Sequence, residues 1–126
     1  MSLRSPLRRV LGLGSARDGT GHFVAQRVSA IALAILGLWF LWQVLALDSL
    51  AYLDVIRFVA QPVNGILLAL LGITVAYHSY LGVQVVIEDY VHSHGLKLAA
   101  LVASGFAHVF LAVAMVYAIL SIGFVR

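Results

Sequence analysis

Three stretches of this chain, residues 28–47, 63–87 and 98–125, contain no Asp, Glu, Lys or Arg. Each reaches the roughly 20 apolar residues that a helix needs to cross a hydrocarbon core of about 30 Å. A backbone in lipid has no water to bond, so a spanning segment must satisfy its own amides, as a helix does. The fold class that follows is an all-α membrane protein with three transmembrane helices. Composition agrees: the 126 residues are 63% hydrophobic and 10% charged, against about 45–50% and about 25% in soluble domains. Three spans and short connections use up this length. The chain is therefore expected to be a single membrane-anchor domain over residues 1–126, with no extramembrane domain.

The net charge of +3 does not point to nucleic acid, because the basic residues gather in the arm that precedes the first span. Residues 1–27 hold Arg4, Arg8, Arg9, Arg17 and Arg27 against one acid, Asp18. With Lys97, that side carries six basic residues, against Arg57 and Arg126 on the other. The positive-inside rule then puts the N-terminus in the cytoplasm, or in a matrix. A bacterial inner-membrane chain with a mature N-terminus is the simpler expectation. The arm is short, rich in glycine and leads straight into a span, which suits neither a transit peptide nor a secretory signal. The glycines at 12, 14, 19 and 21 follow no strand, so they read as loop glycines and not as a dinucleotide fingerprint. Pro62 suits the first turn of the second span, where its missing N–H has no partner to lose. With no cysteine, the chain cannot form a disulfide, ligate an iron–sulfur cluster through thiolates or offer a thiol nucleophile.

His78 lies inside the second span, and an ionisable group in lipid is by default a functional candidate. Its bland alternative is a packed histidine bonded to a neighbouring helix. Gly82 stands one turn later and removes a side chain that would collide with a flat ligand, and Val85 continues the stripe. A neutral imidazole beside a cleared surface in a bundle core is how membrane proteins hold haem iron. Asp89 follows His78 by eleven residues, which on an ideal helix places it about 20° around and roughly 16 Å along the axis.

Glu88 and Asp89 end the second span, where the helix dipole disfavours acids. Proton exchange, a basic partner surface, Lys97 or the arginines of the arm could each account for them. Tyr90 is either an interfacial anchor or a neutral donor suited to a quinone carbonyl, and it points about 100° away from Asp89. His22 and Arg27 precede the first span. Arg27 borders lipid directly, where it could pair with haem propionates or a quinone headgroup, and Ser29 could add a hydroxyl. His108, in the third span, sits at nearly the depth of His78, so it is either a second, intrachain haem ligand or a histidine bonded across helices. His92 and His94 read as surface residues.

The run His78, Gly82, Asp89-Tyr90, preceded by His22 to Arg27 at the inner end of the first span, resembles the small hydrophobic anchor subunit of succinate dehydrogenase (complex II). The resemblance covers essentially the whole chain in span number, orientation and motif placement. It implies that the chain forms part of a heteromeric helix bundle. His78 would be an axial ligand of haem b, with the second ligand on a larger cytochrome b membrane subunit. Tyr90 and Asp89 would form part of a ubiquinone-reduction site, while Arg27 and His22 would face the propionates or the quinone. FAD and the iron–sulfur clusters would reside in a flavoprotein subunit and an iron–sulfur subunit. The competing readings are a menaquinone-linked anchor of the fumarate reductase type, with or without haem, and a purely structural anchor.

Overall fold

A computed structural model describes residues 19–124. Four helices follow in order: α1 (Gly19–Leu45), α2 (Tyr52–Ala60), α3 (Pro62–Tyr90) and α4 (His94–Phe124). Helices α1, α3 and α4 are long and apolar enough to cross a membrane. They run 27, 29 and 31 residues, or about 40 to 46 Å at 1.5 Å per residue. Each exceeds a bilayer core of about 30 Å, so its ends reach the interfaces. Arg4, Arg8, Arg9, Arg17, Asp18, Gly12, Gly14 and Arg126, which enter the orientation and loop arguments, lie outside the described residues.

Two segments differ from the sequence reading. Gly19 and Gly21, read as loop glycines, lie in the first turn of α1, which continues through His22 and Arg27 into the apolar run. Apolar periodicity marks where lipid begins, whereas backbone hydrogen bonding decides where the helix begins. The connection between the first two spans, read only as a loop, contains α2. This helix is amphipathic: Val55, Ile56 and Val59 are half-buried, and α2 packs on α3 and α4. Asp54 in its first turn and Arg57 in its last match the helix dipole. The two form an exposed pair at 3.4 Å.

Only Gln61 separates α2 from α3, in an extended conformation with φ −68° and ψ 128°. Pro62 imposes this, because a proline ring disfavours helical backbone in the residue before it. Pro62 then occupies the first turn of α3, as its sequence position predicts. Asn64, 8% exposed, locks the corner by donating from Nδ2 to the Phe58 carbonyl at 3.0 Å. A Cβ at Gly65 would lie 3.3 Å from the Val59 carbonyl oxygen, so the corner closes this tightly because position 65 has no side chain.

Helix α3 is central. Helices α1 and α4 each pack against it, and no Cα atoms of α1 and α4 approach within 8 Å among the described residues. Small residues permit the α3–α4 approach: Gly72 and Ala76 are buried, and a Cβ at Gly72 would come 3.2 Å from Met115 Sδ. Small residues at such crossings let membrane helices gain close packing. The buried apolar set is confined to Leu36, Ala76 and Leu81 among the described residues. Trp42, Phe106, Phe110 and Tyr117 are over 70% exposed. Apolar faces of that extent must be covered by lipid or by other helices.

Candidate functional site

The seam between α1 and α3 brings Gln26 and Ser29 together with Gly82 and His78, with His22 one turn before Gln26. On α1 the spacing of four and then three residues puts His22, Gln26 and Ser29 on one stripe. All three are buried or half-buried, and the stripe continues through the buried Leu36. Ser29, 5% exposed, lies with Oγ 2.9 Å from His78 Nδ1, and the same Oγ donates to the Gln26 carbonyl at 3.1 Å. The other ring nitrogen of His78, Nε2, has no hydrogen-bond partner among the described residues. One turn further along α3, a Cβ on Gly82 would meet only Gln26 Nε2, at 4.0 Å.

Two polar atoms in this seam, His22 Nε2 and Gln26 Oε1, are buried and unpaired among the described residues. Buried polar groups are nearly always hydrogen-bonded, so these two mark a place where an additional polar group is expected. Sequence reasoning passed over Gln26. The signal that could have found it is the polar stripe at positions 22, 26 and 29, leading to an otherwise apolar face.

His22 and Arg27, grouped by sequence, are separated. Arg27 is one residue past Gln26 and therefore about 100° around the helix. It is exposed and lies over the Phe23 ring with Cζ 5.2 Å from the centroid. Asp89 and Tyr90 close α3, both exposed, with Tyr90 at 77% and neither side chain hydrogen-bonded among the described residues. Glu88 is accounted for locally: its Oε1 accepts from Gln84 Nε2 at 2.8 Å, and Lys97 Nζ donates to its main-chain carbonyl at 2.7 Å. Lys97 thus caps the carbonyl end of α3, where a cation also opposes the dipole. Asp89 is left without a countercharge on this chain among the described residues.

His108 is resolved as the histidine bonded across helices. Its Nδ1 lies 2.7 Å from the Ser104 carbonyl and its Nε2 lies 3.1 Å from Ser79 Oγ. A carbonyl only accepts, so Nδ1 donates and Nε2 accepts from the Ser79 hydroxyl. The Tyr80 ring packs edge-on at 5.8 Å. With both nitrogens occupied, the intrachain second ligand is not supported. Among the described residues no three His, Asp or Glu side chains converge as a metal site, and His92 and His94 are exposed.

A groove of about 740 Å³ lies between α3 and α4, lined by Ala76, Tyr77, Tyr80, Gly105, Phe106 and His108. His78 does not line it. Its lining is almost wholly apolar, so its size reflects an uncovered helix face and not the polar chemistry of the α1–α3 seam.

The profile of the family described as Succinate dehydrogenase/Fumarate reductase transmembrane subunit matches residues 1–121. The succinate dehydrogenase hydrophobic membrane anchor subunit of Rickettsia bellii is 33% identical over 116 residues, covering 92% of this chain and 93% of that protein. The protein of the same name from Paracoccus denitrificans is 31% identical over 119 residues, covering 94% and 92%. That of Rickettsia conorii is 30% identical over 85 residues, covering 67% and 68%.

Proposed function

Because the chain belongs to the family of succinate dehydrogenase/fumarate reductase transmembrane subunits, we propose that it is the hydrophobic membrane anchor of a succinate:quinone oxidoreductase in a bacterial inner membrane. In this reading its N-terminus is cytoplasmic, and His78 would hold the iron of a haem b shared with a larger cytochrome b subunit. The observation that carries the assignment is the state of His78: Nδ1 is held by Ser29, Nε2 has no hydrogen-bond partner among the described residues, and Gly82 leaves the adjoining surface clear.

The residues present fit such a group. One nitrogen is available for iron, a Cβ is missing where a flat ligand would lie, and the orphaned His22 Nε2 and Gln26 Oε1 could meet polar substituents. When bound, haem b supplies a one-electron redox centre and ties two subunits together. This chain's part is to orient the imidazole, exclude water along the α1–α3 seam and present a polar stripe at the inner end. Arg27, on another face of α1, is directed to a headgroup, a propionate or a partner outside that seam.

At the inner end of α3, Tyr90 and Asp89 contribute half of a quinone pocket whose remainder lies on partner chains. The Tyr90 phenol donates a hydrogen bond to a ubiquinone carbonyl without bringing charge into the site. Asp89 takes a proton from the aqueous side and passes it on. Two electrons released by oxidation of succinate to fumarate on the partner subunits, together with two protons, would convert the quinone to quinol; FAD and the iron–sulfur clusters that would carry those electrons would reside in the flavoprotein and iron–sulfur subunits.

The test is the absorption and electron paramagnetic resonance spectrum of the purified complex carrying His78→Ala. Loss of the low-spin bis-histidine signal is expected; an unchanged spectrum would remove His78 from the iron.

A further inference from the structure

Ser29 Oγ makes two hydrogen bonds with one proton. The Gln26 carbonyl, 3.1 Å away, can only accept, so the hydroxyl proton lies on that bond. The contact with His78 Nδ1 at 2.9 Å must then run the other way, from Nδ1–H to Oγ. Ser29 is 5% exposed, so bulk water does not compete for either bond. This chain of bonds fixes the proton on Nδ1 and leaves the lone pair on Nε2. It also pins the imidazole plane to α1, a helix other than its own.

We propose that Ser29 is a positioning residue for His78: it selects the tautomer whose Nε2 can bind iron, and it raises the basicity of that nitrogen. This rests on the reading of His78 as a haem ligand. Sequence spacing had suggested only that the Ser29 hydroxyl could serve a propionate or a headgroup. Its engagement with both Gln26 and Nδ1 assigns it to the back of the ligand instead. An acceptor behind a ligating imidazole makes it the stronger donor, and loss of such a partner typically costs about 10- to 100-fold in metal affinity. A stronger donor favours ferric over ferrous iron, so Ser29 holds the haem potential down.

The experiment compares Ser29→Thr, which keeps the hydroxyl, with Ser29→Val, which has the same shape without it, both in the purified complex beside wild type and His78→Ala. The readouts are the haem midpoint potential, the largest g-value of the low-spin signal, and the rate at which a haem-scavenging apoprotein removes the group. Ser29→Val is expected to have a more positive potential, an altered g-value and haem loss at least about tenfold faster, with Ser29→Thr close to wild type. Should the added methyl prevent both variants from assembling, Ser29→Ala against wild type is read by the same criteria. If His78→Ala abolishes the low-spin signal while Ser29→Val and Ser29→Thr agree in all three readouts, the role of Ser29 is overturned and the ligand stands. If His78→Ala leaves the signal unchanged, the ligand assignment fails, and the proposal with it.

Discussion

Replacing Gly82 by alanine separates two jobs that a glycine can have in the middle of α3. Glycine in a helix interior is about 0.8–1.0 kcal/mol less favourable than alanine. Among the described residues nothing opposes the exchange, since the new Cβ would meet Gln26 Nε2 at 4.0 Å, an ordinary contact distance. If Gly82 served only packing inside the chain, Gly82→Ala would therefore be stabilising by about 1 kcal/mol. If Gly82 clears a face for haem, the outcome for the haem has the opposite sign. Ring carbons in van der Waals contact stand about 3.5–4.0 Å from their neighbours, so a methyl placed between glycine and ring must push one of them away. Overpacking of that kind costs about 1–3 kcal/mol, a fall in haem affinity of about 5- to 150-fold. The assay pairs the haem-to-protein ratio and haem dissociation rate with thermal unfolding of the same preparation. Weaker haem retention is expected even where the haem-depleted subunit unfolds no earlier than wild type. Undiminished haem affinity in Gly82→Ala would refute the placement of Gly82 beside the group.

Three further outcomes follow from the described geometry. Tyr90→Phe removes one donor at the inner end of α3 and is expected to lower quinone reduction severalfold while succinate oxidation with a soluble acceptor is retained; equal losses in both assays would take Tyr90 out of the quinone site. His108→Leu breaks the bond to Ser79 and should shift thermal stability by an amount on the order of 1 kcal/mol, with the low-spin haem spectrum intact; a lost spectrum would restore His108 as a ligand. Asn64→Leu, which removes one of the two donors to the Phe58 carbonyl at the α2–α3 corner and leaves the Gln61 N–H, should destabilise by about 0.5–1.5 kcal/mol through the lost hydrogen bond, measured as earlier thermal unfolding and faster amide exchange in α2.

Much of the architecture was legible because it is local. An uncharged run of twenty or more residues announces a span wherever it occurs, and Pro62 announces the start of α3 through its own ring. The short helix α2 escaped notice because nine residues are too few to span a bilayer and lie between two uncharged runs, although Val55, Ile56 and Val59 already fall on one helical face in the sequence. Among the site residues, His78 and Gly82 stood out by position, a histidine and a glycine one turn apart in an apolar helix. Gln26 did not, since a glutamine shortly before a span looks like any boundary residue. It becomes notable only when α1 turns it toward Gly82 and leaves its Oε1 buried without a partner among the described residues.

The sequence by itself determined the number of spans, the absence of cysteine chemistry and the candidate histidines, because apolar run length and residue identity require no knowledge of what lies opposite. Tertiary structure alone decided which nitrogen of His78 is engaged, that His108 is closed on both sides by Ser104 and Ser79, and that Ser29 faces α3 while Arg27 lies exposed over the Phe23 ring. The physical reason is that hydrogen bonds across helices depend on how each helix is rotated about its axis. That rotation is set by packing partners 29 and 49 residues apart in the chain, which no local period encodes.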